Sequence, residues 1–241
     1  MNLDDLPVSE REPNAECRQW HDNSYARAGF AAQRRYPNEE LLRFMGRNYF
    51  GLSKDRRADT RVLEVGCGSG ANLWMLAHEG FDAHGVDLSA SGIGLCVQML
   101  GQWKTQGKVK VGDMTALDYP TGYFDAVVDV FSAYCLDERG FSKFLNEVRR
   151  VLKPGGRFFA YTPSKGSDVF KRAENKIDAS TLNGVPDGGP FSGNKYPFRF
   201  IGADEFKDEL QKRDLRVPYL ESVGRSYGTD YFEFVVIEGQ K

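Results

Sequence analysis

The sequence lacks several residue patterns that would identify a protein class at once. Its 241 residues contain four cysteines and three histidines, and no two cysteines form a C-x-x-C pair. This spacing excludes a zinc knuckle recognisable from sequence and argues against a disulfide framework. We therefore predict no metal site.

Long hydrophobic runs and an excess of one charge are also missing. No apolar stretch approaches the ~20 residues that a membrane-spanning helix needs, and residues 1–16 are acidic and polar, unlike a secretory signal. Thirty-two basic residues against 34 acidic ones leave a net charge of −2, without the cationic excess typical of nucleic-acid binders. We expect a cytoplasmic protein with no membrane or nucleic-acid partner and a flexible tail over 1–16.

Short apolar segments alternate with helical patterns from residue 61 onward. The pattern predicts strands at 61–65, 83–86, 109–111, 124–130, 157–162, 217–223 and 231–238. This alternation is typical of an α/β fold, a Rossmann-like, mostly parallel sheet with helices on both faces, and the last two strands form a hairpin that adds an antiparallel strand.

Two regions stand outside this pattern, which sets the predicted domain organisation. Residues 17–56 are expected to form a helical cap that ends in a polar linker from residue 54. Residues 57–241 form the main domain, and residues 163–200 within it have no clear period and are predicted to be a lid insert.

A glycine-rich segment separates the first predicted strand from the next helix. It reads Glu64-Val65-Gly66-Cys67-Gly68-Ser69-Gly70. Its glycines let a ligand approach the main chain without a Cβ in the way. The spacing Gly66-x-Gly68-x-x-Ala71 also fits a dinucleotide fingerprint, so a nicotinamide or flavin site and a nucleoside site without a diphosphate both remain open.

Three acids favour the nucleoside alternative. Asp87 ends the second strand, where a carboxylate can accept hydrogen bonds from a ribose diol. Asp113 ends the third strand, where it can accept from an adenine amino group while Met114 lies against the ring. Glu64 precedes the first glycine, where it would repel a diphosphate and attract a cationic amino-acid group.

These motifs, in this order, resemble the class I S-adenosylmethionine-dependent methyltransferases of the small-molecule type. The matching segments are 64–70, 85–89, 112–114, 124–128 and 152–156. The resemblance implies a seven-stranded sheet and S-adenosyl-L-methionine as the methyl donor. It also implies a set of donor-binding residues: Glu64, Gly66, Cys67, Gly68, Gly70, Asp87, Leu88, Asp113, Met114, Val130 and Phe131.

The chemistry of methyl transfer limits what catalytic residues are needed. The reaction depends mainly on alignment, and a general base is required only if the acceptor stays protonated. Many small-molecule members place a histidine after the fourth strand, where this chain has Tyr134 and Cys135. The remaining candidates are His21, oriented by Asp22, together with Tyr25 and Tyr134; capping or core packing is an open alternative for each.

The cap and the insert suggest an enclosed acceptor. Their aromatic residues could surround an organic molecule; these are Trp20, Tyr25, Phe191, Tyr196, Phe198 and Phe200. Cations of the insert could attract an anionic group; these are Lys165, Lys171, Arg172, Lys195 and Arg199. We expect methyl transfer to a hydroxyl or amine of a small metabolite, such as a sugar or natural product. An RNA or protein methyltransferase, an NAD-dependent oxidoreductase, a donor-binding protein without catalysis, and a homodimer remain open.

Overall fold

The computed structural model describes residues 15–185 and 194–241. The predicted tail therefore lies almost wholly outside the described residues, as does Phe191 of the insert. The elements are α1 (Ala15–Ala28), α2 (Glu39–Asn48), α3 (Lys54–Ala58), β1 (Arg61–Val65), α4 (Leu73–His78), β2 (Asp82–Asp87), α5 (Ala90–Gln102), β3 (Lys108–Val111), β4 (Phe124–Val130), α6 (Glu138–Val151), β5 (Leu152–Pro163), α7 (Asp168–Arg172), β6 (Thr181–Asn183), β7 (Pro197–Arg199), α8 (Ala203–Gln211), β8 (Arg216–Tyr227) and β9 (Asp230–Gln240).

Seven strands form the central sheet in the order β3-β2-β1-β4-β5-β9-β8. Strands β1 to β5 are parallel, while β9 runs antiparallel to both β5 and β8. The predicted fold class is confirmed. The chain order reverses between β1 and β4, and ligands of open α/β sheets bind in the crevice at the carboxyl ends of such strands.

Helix α2 packs on one face of the sheet, away from the crevice. Leu41, Phe44 and Met45 are fully buried, and the Phe44 ring stacks on Phe159 of β5 with centroids 4.9 Å apart. The i, i+3, i+4 spacing of these residues makes one apolar helix face, which is buried most effectively on the sheet. Of the predicted cap, α1 and the segment that follows it therefore lie at the crevice, whereas α2 does not.

Residues 54–60, predicted to be a linker, contain the short helix α3. Ser53 explains the difference, because its side chain accepts a hydrogen bond from the backbone N–H of Arg56 at 3.4 Å and caps the first turn. Among the described helices, none combines the length and apolar character needed to cross a bilayer.

The insert contributes to the hydrophobic core. Phe198 and Phe200 are buried and pack with Phe170, Phe232 and Phe234 in a third core cluster. Aromatic side chains remove more apolar area from water than most others, so burying them there stabilises the insert on β9.

The insert cations also differ from expectation, because four of the five already have acidic partners. Lys165 pairs with Glu205 at 2.6 Å, and the buried Arg199 lies 3.5 Å from the same carboxylate. The remaining pairs are Arg172 with Asp230 at 2.9 Å and Lys171 with Asp168 at 4.0 Å, whereas Lys195 is exposed. Little unpaired charge is left to attract an anionic acceptor.

Candidate functional site

The turn between β1 and α4 has the backbone shape that its glycines permit. Gly66, Gly68 and Gly70 have φ angles of 61°, 49° and 82°. A Cβ at Gly66 would lie 2.1 Å from the Cβ of Ser132, and one at Gly68 would lie 2.5 Å from the Tyr25 hydroxyl. Both positions therefore require glycine for conformation and for space.

Two cavities flank this turn. The first, here the α1 cavity, holds about 530 Å³ up to its open mouth. It is lined by Cys17, Arg18, His21, Tyr25, Gly66, Val86, Asp87, Leu88, Gly112, Met114, Phe131, Ser132, Tyr134 and Cys135. The second, here the loop cavity, holds about 720 Å³ and is lined by Tyr25, Gln33, Arg34, Glu64, Gly66, Cys67, Gly68, Ser69, Ala71, Asn72, Val130 and Phe131.

Three residues are shared by the two cavities: Tyr25, Gly66 and Phe131. The structure thus brings every predicted donor-binding residue except Gly70 and Asp113 to the wall of one cavity or the other. Gly70 lies beneath the turn, where a Cβ would meet the Cys96 sulfur at 2.6 Å. The side chain of Cys67 also contacts Cys96, so its role is in packing the turn.

Glu64 has an unsatisfied carboxylate oxygen beside the loop cavity. Its Oε1 accepts a hydrogen bond from Asn72 Nδ2 at 2.6 Å, while Oε2 is buried with no partner among the described residues. Burial raises the pKa of Glu64 to about 8, against the opposing effects of Asn72 and Arg34. A cationic group entering the cavity would satisfy this oxygen and hold the carboxylate ionised, so the site fits the ammonium of an amino-acid ligand.

Asp87 stands at the carboxyl end of β2, facing the α1 cavity. Its Oδ2 accepts from the backbone N–H of Gly68 at 2.8 Å, and its Oδ1 accepts from that of Ser89 at 2.8 Å. Burial raises the pKa of Asp87, and these two amide bonds oppose the rise. The carboxylate is thus fixed between the glycine turn and the start of α5, with lone pairs left for a diol.

Asp113 is turned away from both cavities. Its Oδ1 accepts from the backbone N–H of Thr115 at 2.7 Å, which forms a local turn. It lines a separate space of about 260 Å³ with Lys110, Ala116 and Asp118. In this arrangement Gly112 and Met114, and not Asp113, line the α1 cavity.

The three predicted catalytic residues all line the α1 cavity, but their partners differ from expectation. Asp22 accepts from Ser89 Oγ at 2.6 Å and from the Ser91 N–H at 2.9 Å, so it anchors α1 to α5 and does not orient His21. His21 Nε2 instead lies 3.5 Å from the Tyr134 hydroxyl and 3.3 Å from the Tyr196 hydroxyl. His21, Tyr134 and Tyr196 form a polar cluster, in which His21 and Tyr134 line the cavity and Tyr196 is buried.

The tyrosines of this cluster are held neutral. The two hydroxyls of Tyr134 and Tyr196 are 3.3 Å apart, and burial raises the pKa of each well above its usual value. The pKa of Tyr25 is raised by burial in the same way. The tyrosines can therefore donate or accept a hydrogen bond, and His21 contributes an imidazole nitrogen to the cluster.

Sequence reasoning missed several residues of this site. Cys17 and Cys135 line the α1 cavity, and a hydrogen bond between them lowers the pKa of Cys17 to about 6. Arg34 and Asn72 line the loop cavity. Asn72 lies two residues after Gly70 and Cys135 follows the fourth strand, so both could have been inferred from position, whereas nothing local marks Cys17 and Arg34. Among residues 15–185 and 194–241, no group of three His, Cys, Asp or Glu side chains is arranged to hold a metal.

Comparison with known proteins agrees with this geometry. Residues 62–156 match the family described as "Methyltransferase domain". Over 132 residues the chain is 36% identical to the fatty-acid O-methyltransferase of Mycolicibacterium smegmatis, covering 53% of this chain and 46% of that protein. The chain spans about half the length of the curated relatives it matches.

Solved structures share the fold over almost the whole chain. The 1,6-didemethyltoxoflavin-N1-methyltransferase of Burkholderia thailandensis, solved with S-adenosylhomocysteine bound, has a TM-score of 0.58 at 15% identity and covers 98% of this chain and 92% of its own. The [4+2]-cyclase SpnF has a TM-score of 0.64 at 16% identity and covers 98% of this chain and 97% of its own. Together with the motifs and the sheet order, these matches support a class I S-adenosylmethionine-dependent methyltransferase.

Proposed function

We propose that this protein transfers the methyl group of S-adenosylmethionine to a hydroxyl or amine of a small metabolite. The observation that carries the proposal is the pair of cavities around the glycine turn, with the unsatisfied Glu64 Oε2 in one and Asp87 in the other. A nucleoside that carries an amino acid needs one acid to pair with its ammonium group and a second acid to accept hydrogen bonds from its ribose diol.

The donor takes a defined orientation in this proposal. Its amino-acid end lies in the loop cavity at Glu64, and its ribose lies at Asp87. Its adenine enters the α1 cavity beside Leu88 and Met114, both of which are apolar. Val130 and Phe131, at the end of β4, border the space where the methyl group would be presented. Asp113 contacts the adenine only if its turn rearranges, because it now caps Thr115.

The residues of the chain perform the remaining tasks. S-Adenosylmethionine, when bound, supplies an activated methyl group whose transfer leaves a neutral thioether. Helix α1 covers the site and excludes water, which favours a displacement that depends on alignment. Tyr134 orients the acceptor through a hydrogen bond, His21 Nε2 accepts the acceptor's proton, and the buried Tyr196 holds His21 and Tyr134 in position.

The side chains that line the α1 cavity favour an acceptor with apolar character. Apolar side chains line much of the α1 cavity, and most insert cations are already paired. The fatty-acid O-methyltransferase relative is consistent with a lipid-like metabolite that presents an oxygen. We therefore expect the acceptor to be a hydrophobic natural product or an acyl compound rather than a sugar.

Two measurements, a binding titration followed by an assay of methyl transfer, test the proposed function. Calorimetric titration with S-adenosylhomocysteine and with NAD should show binding of the first alone, and Asp87→Asn should weaken it at least about tenfold because a charged hydrogen bond is lost. Asp82→Asn is the matched control, since Asp82 begins the same strand and pairs with Lys108 at 2.8 Å.

Transfer of a labelled methyl group is then traced into fatty acids, hydroxylated lipids and cell extract. A labelled small product supports the proposal. Donor binding with no labelled product would contradict methyl transfer and favour another reaction on this fold, as in the SpnF cyclase. Label in RNA or protein would contradict the small-molecule acceptor.

A further inference from the structure

Two cysteines meet at the wall of the α1 cavity, and the proposed methyl transfer uses neither of them. Cys17 lies in the first turn of α1, and Cys135 ends the short turn Ala133–Cys135 that follows β4. Both are free thiols, both line the cavity and belong to one hydrophobic cluster, and they are hydrogen-bonded to each other. A covalent bond between them would therefore join two elements that only folding brings together.

The two sulfur atoms differ in protonation. Hydrogen bonds from Cys135 and His21 lower the pKa of Cys17 to about 6, against the opposing effects of burial and of the Asp87 charge. The bond to Cys17, together with burial, raises the pKa of Cys135. Near neutral pH the pair is thus a thiolate beside a thiol. A thiolate is the form of cysteine that reacts with peroxides, and an adjacent thiol can resolve the oxidised sulfur into a disulfide.

The other two cysteines form a contrasting pair beneath the glycine turn. The hydrogen bond between Cys67 and Cys96, together with burial, raises the pKa of Cys67 well above its usual value. Cys96 is fully buried and lines neither cavity. Cys17 and Cys135, in contrast, open on a space of about 530 Å³ with an open mouth. They are only 4% and 8% exposed, so a small oxidant reaches them more readily than a bulky one.

We propose that Cys17 and Cys135 are an oxidation site, at which hydrogen peroxide produces a disulfide that fixes α1 to the turn after β4. The Cys17 sulfur attacks one peroxide oxygen and the O–O bond breaks, which gives a sulfenic acid and hydroxide. The Cys135 sulfur then attacks the Cys17 sulfur, the S–O bond breaks, and the oxygen takes the Cys135 proton and leaves as water. Two electrons pass from the sulfur atoms to the peroxide.

The disulfide would restrain the N-terminal part of α1. Asp22, later in the helix, already accepts hydrogen bonds from Ser89 Oγ and the Ser91 N–H at the start of α5. A covalent bond at Cys17 would hold the helix at a second point, so α1 could no longer shift as a whole. The oxidised protein would therefore exchange its methyl donor more slowly. That consequence rests on the proposed function, whereas the oxidation site does not.

The site is tested by treating dilute protein with hydrogen peroxide, alkylating the remaining thiols in denaturant and analysing the peptides by mass spectrometry. We expect a peptide containing Cys17 linked to one containing Cys135 within a single chain, and its loss on addition of dithiothreitol. Cys67 and Cys96 are the internal control and should remain alkylated in the same sample. Amide hydrogen exchange in residues 15–28 should slow several-fold on oxidation and recover on reduction.

Two variants separate the roles of the sulfur atoms. Cys135→Ser should stop the reaction at an oxygenated Cys17, whereas Cys17→Ser should leave Cys135 unoxidised because the thiolate is gone. Oxidation of Cys135 in Cys17→Ser at the wild-type rate would overturn these roles. The absence of the linked peptide, a link between two chains, or earlier oxidation of the control pair would overturn the site, and unchanged exchange in the oxidised protein would overturn the restraint on α1.

The effect on the donor is measured separately. S-Adenosylhomocysteine should dissociate several-fold more slowly from the oxidised protein, and an unchanged rate would overturn the effect on donor exchange. If the linked peptide forms and exchange in α1 slows, but neither the reduced nor the oxidised protein binds S-adenosylhomocysteine, the proposed function fails and the oxidation site stands.

Discussion

In the unliganded protein, the buried carboxyl of Glu64 is costly to ionise. Its carboxyl is buried with a single hydrogen bond, and burial raises its pKa to about 8. An acid whose pKa is raised on folding contributes its full stability below the pKa of the unfolded chain, and that stability is lost as pH rises through the folded value. For Glu64 this loss extends from about pH 4.5 to about pH 8.

We expect Glu64→Gln to stabilise the unliganded protein at pH 8 to 9 by about 2–4 kcal/mol, since it removes the cost of ionising a buried carboxyl. The gain should vanish near pH 4. The same variant should bind S-adenosylhomocysteine at least about tenfold more weakly. Chemical denaturation across this pH range and calorimetry check both effects; a variant less stable than wild type at pH 9 would contradict the argument.

Two glycine-to-alanine variants separate the cost of a positive φ from the cost of a steric clash of the new Cβ. Gly66→Ala would have a positive φ of 61° and a Cβ 2.1 Å from that of Ser132, so we expect a loss of at least about 2 kcal/mol in stability and of donor binding. Gly80→Ala is the control, with a φ of 88° but nothing within 4 Å of the new Cβ. It should cost about 1 kcal/mol and leave donor affinity intact; similar losses in both variants would mean that the contact with Ser132 is unimportant.

At the scale of elements, α1 controls access to the site. It is joined to α5 through Asp22, whose carboxylate accepts from Ser89 Oγ and the Ser91 N–H, and it places Tyr25 between the two cavities. A donor that spans both cavities would lie against Tyr25. We therefore expect donor exchange to involve a movement of Tyr25 or of α1.

We expect Asp22→Ala to loosen α1, because it removes two hydrogen bonds at the start of α5. Amide hydrogen exchange in residues 15–28 should become faster, and S-adenosylhomocysteine should dissociate several-fold faster, as measured by stopped-flow fluorescence of Trp20. Asn23→Ala changes the exposed neighbouring residue and should alter neither rate. An unchanged dissociation rate in Asp22→Ala would show that α1 does not limit exchange.

On the scale of the whole molecule, the stability of the sheet is separate from the site. Glu238 of β9 is buried and accepts from Arg47 Nη2 at 2.6 Å and from Asn48 Nδ2 at 3.1 Å, which ties α2 to the sheet. Removing one partner of a buried ion pair costs more than the pair itself contributes, although here Arg157 Nη1, 3.7 Å from Glu238 Oε2, remains as a partial counter-charge.

We expect Arg47→Ala to lower the free energy of unfolding by about 2–3 kcal/mol, below the usual range for a buried pair because Arg47 is partly exposed. Donor affinity should not change, since the pair lies away from both cavities. Glu39→Ala, on the same helix, removes the exposed pair with Arg43 and leaves Arg43 beside Glu40, so it should cost less than about 1 kcal/mol. Equal losses in the two variants would contradict the importance of burial.

Local sequence patterns are enough to predict the order of strands and helices, the glycine turn and the acids at the ends of β1 and β2. These features are local: strand pattern, turn conformation and the position of an acid at a strand end depend on neighbouring residues. The resemblance to the methyltransferase family rests on the same local segments, and it is confirmed.

Only the tertiary structure decided which distant side chains share a cavity. Arg34 meets Asn72 across 38 positions, and His21 meets Tyr196 across 175, because chain folding, not local pattern, brings them together. The same reason explains why α2 joined the core, since burial of apolar area is settled by the whole packed molecule. The orientation of Asp113, by contrast, follows from a local hydrogen bond donated by the Thr115 N–H.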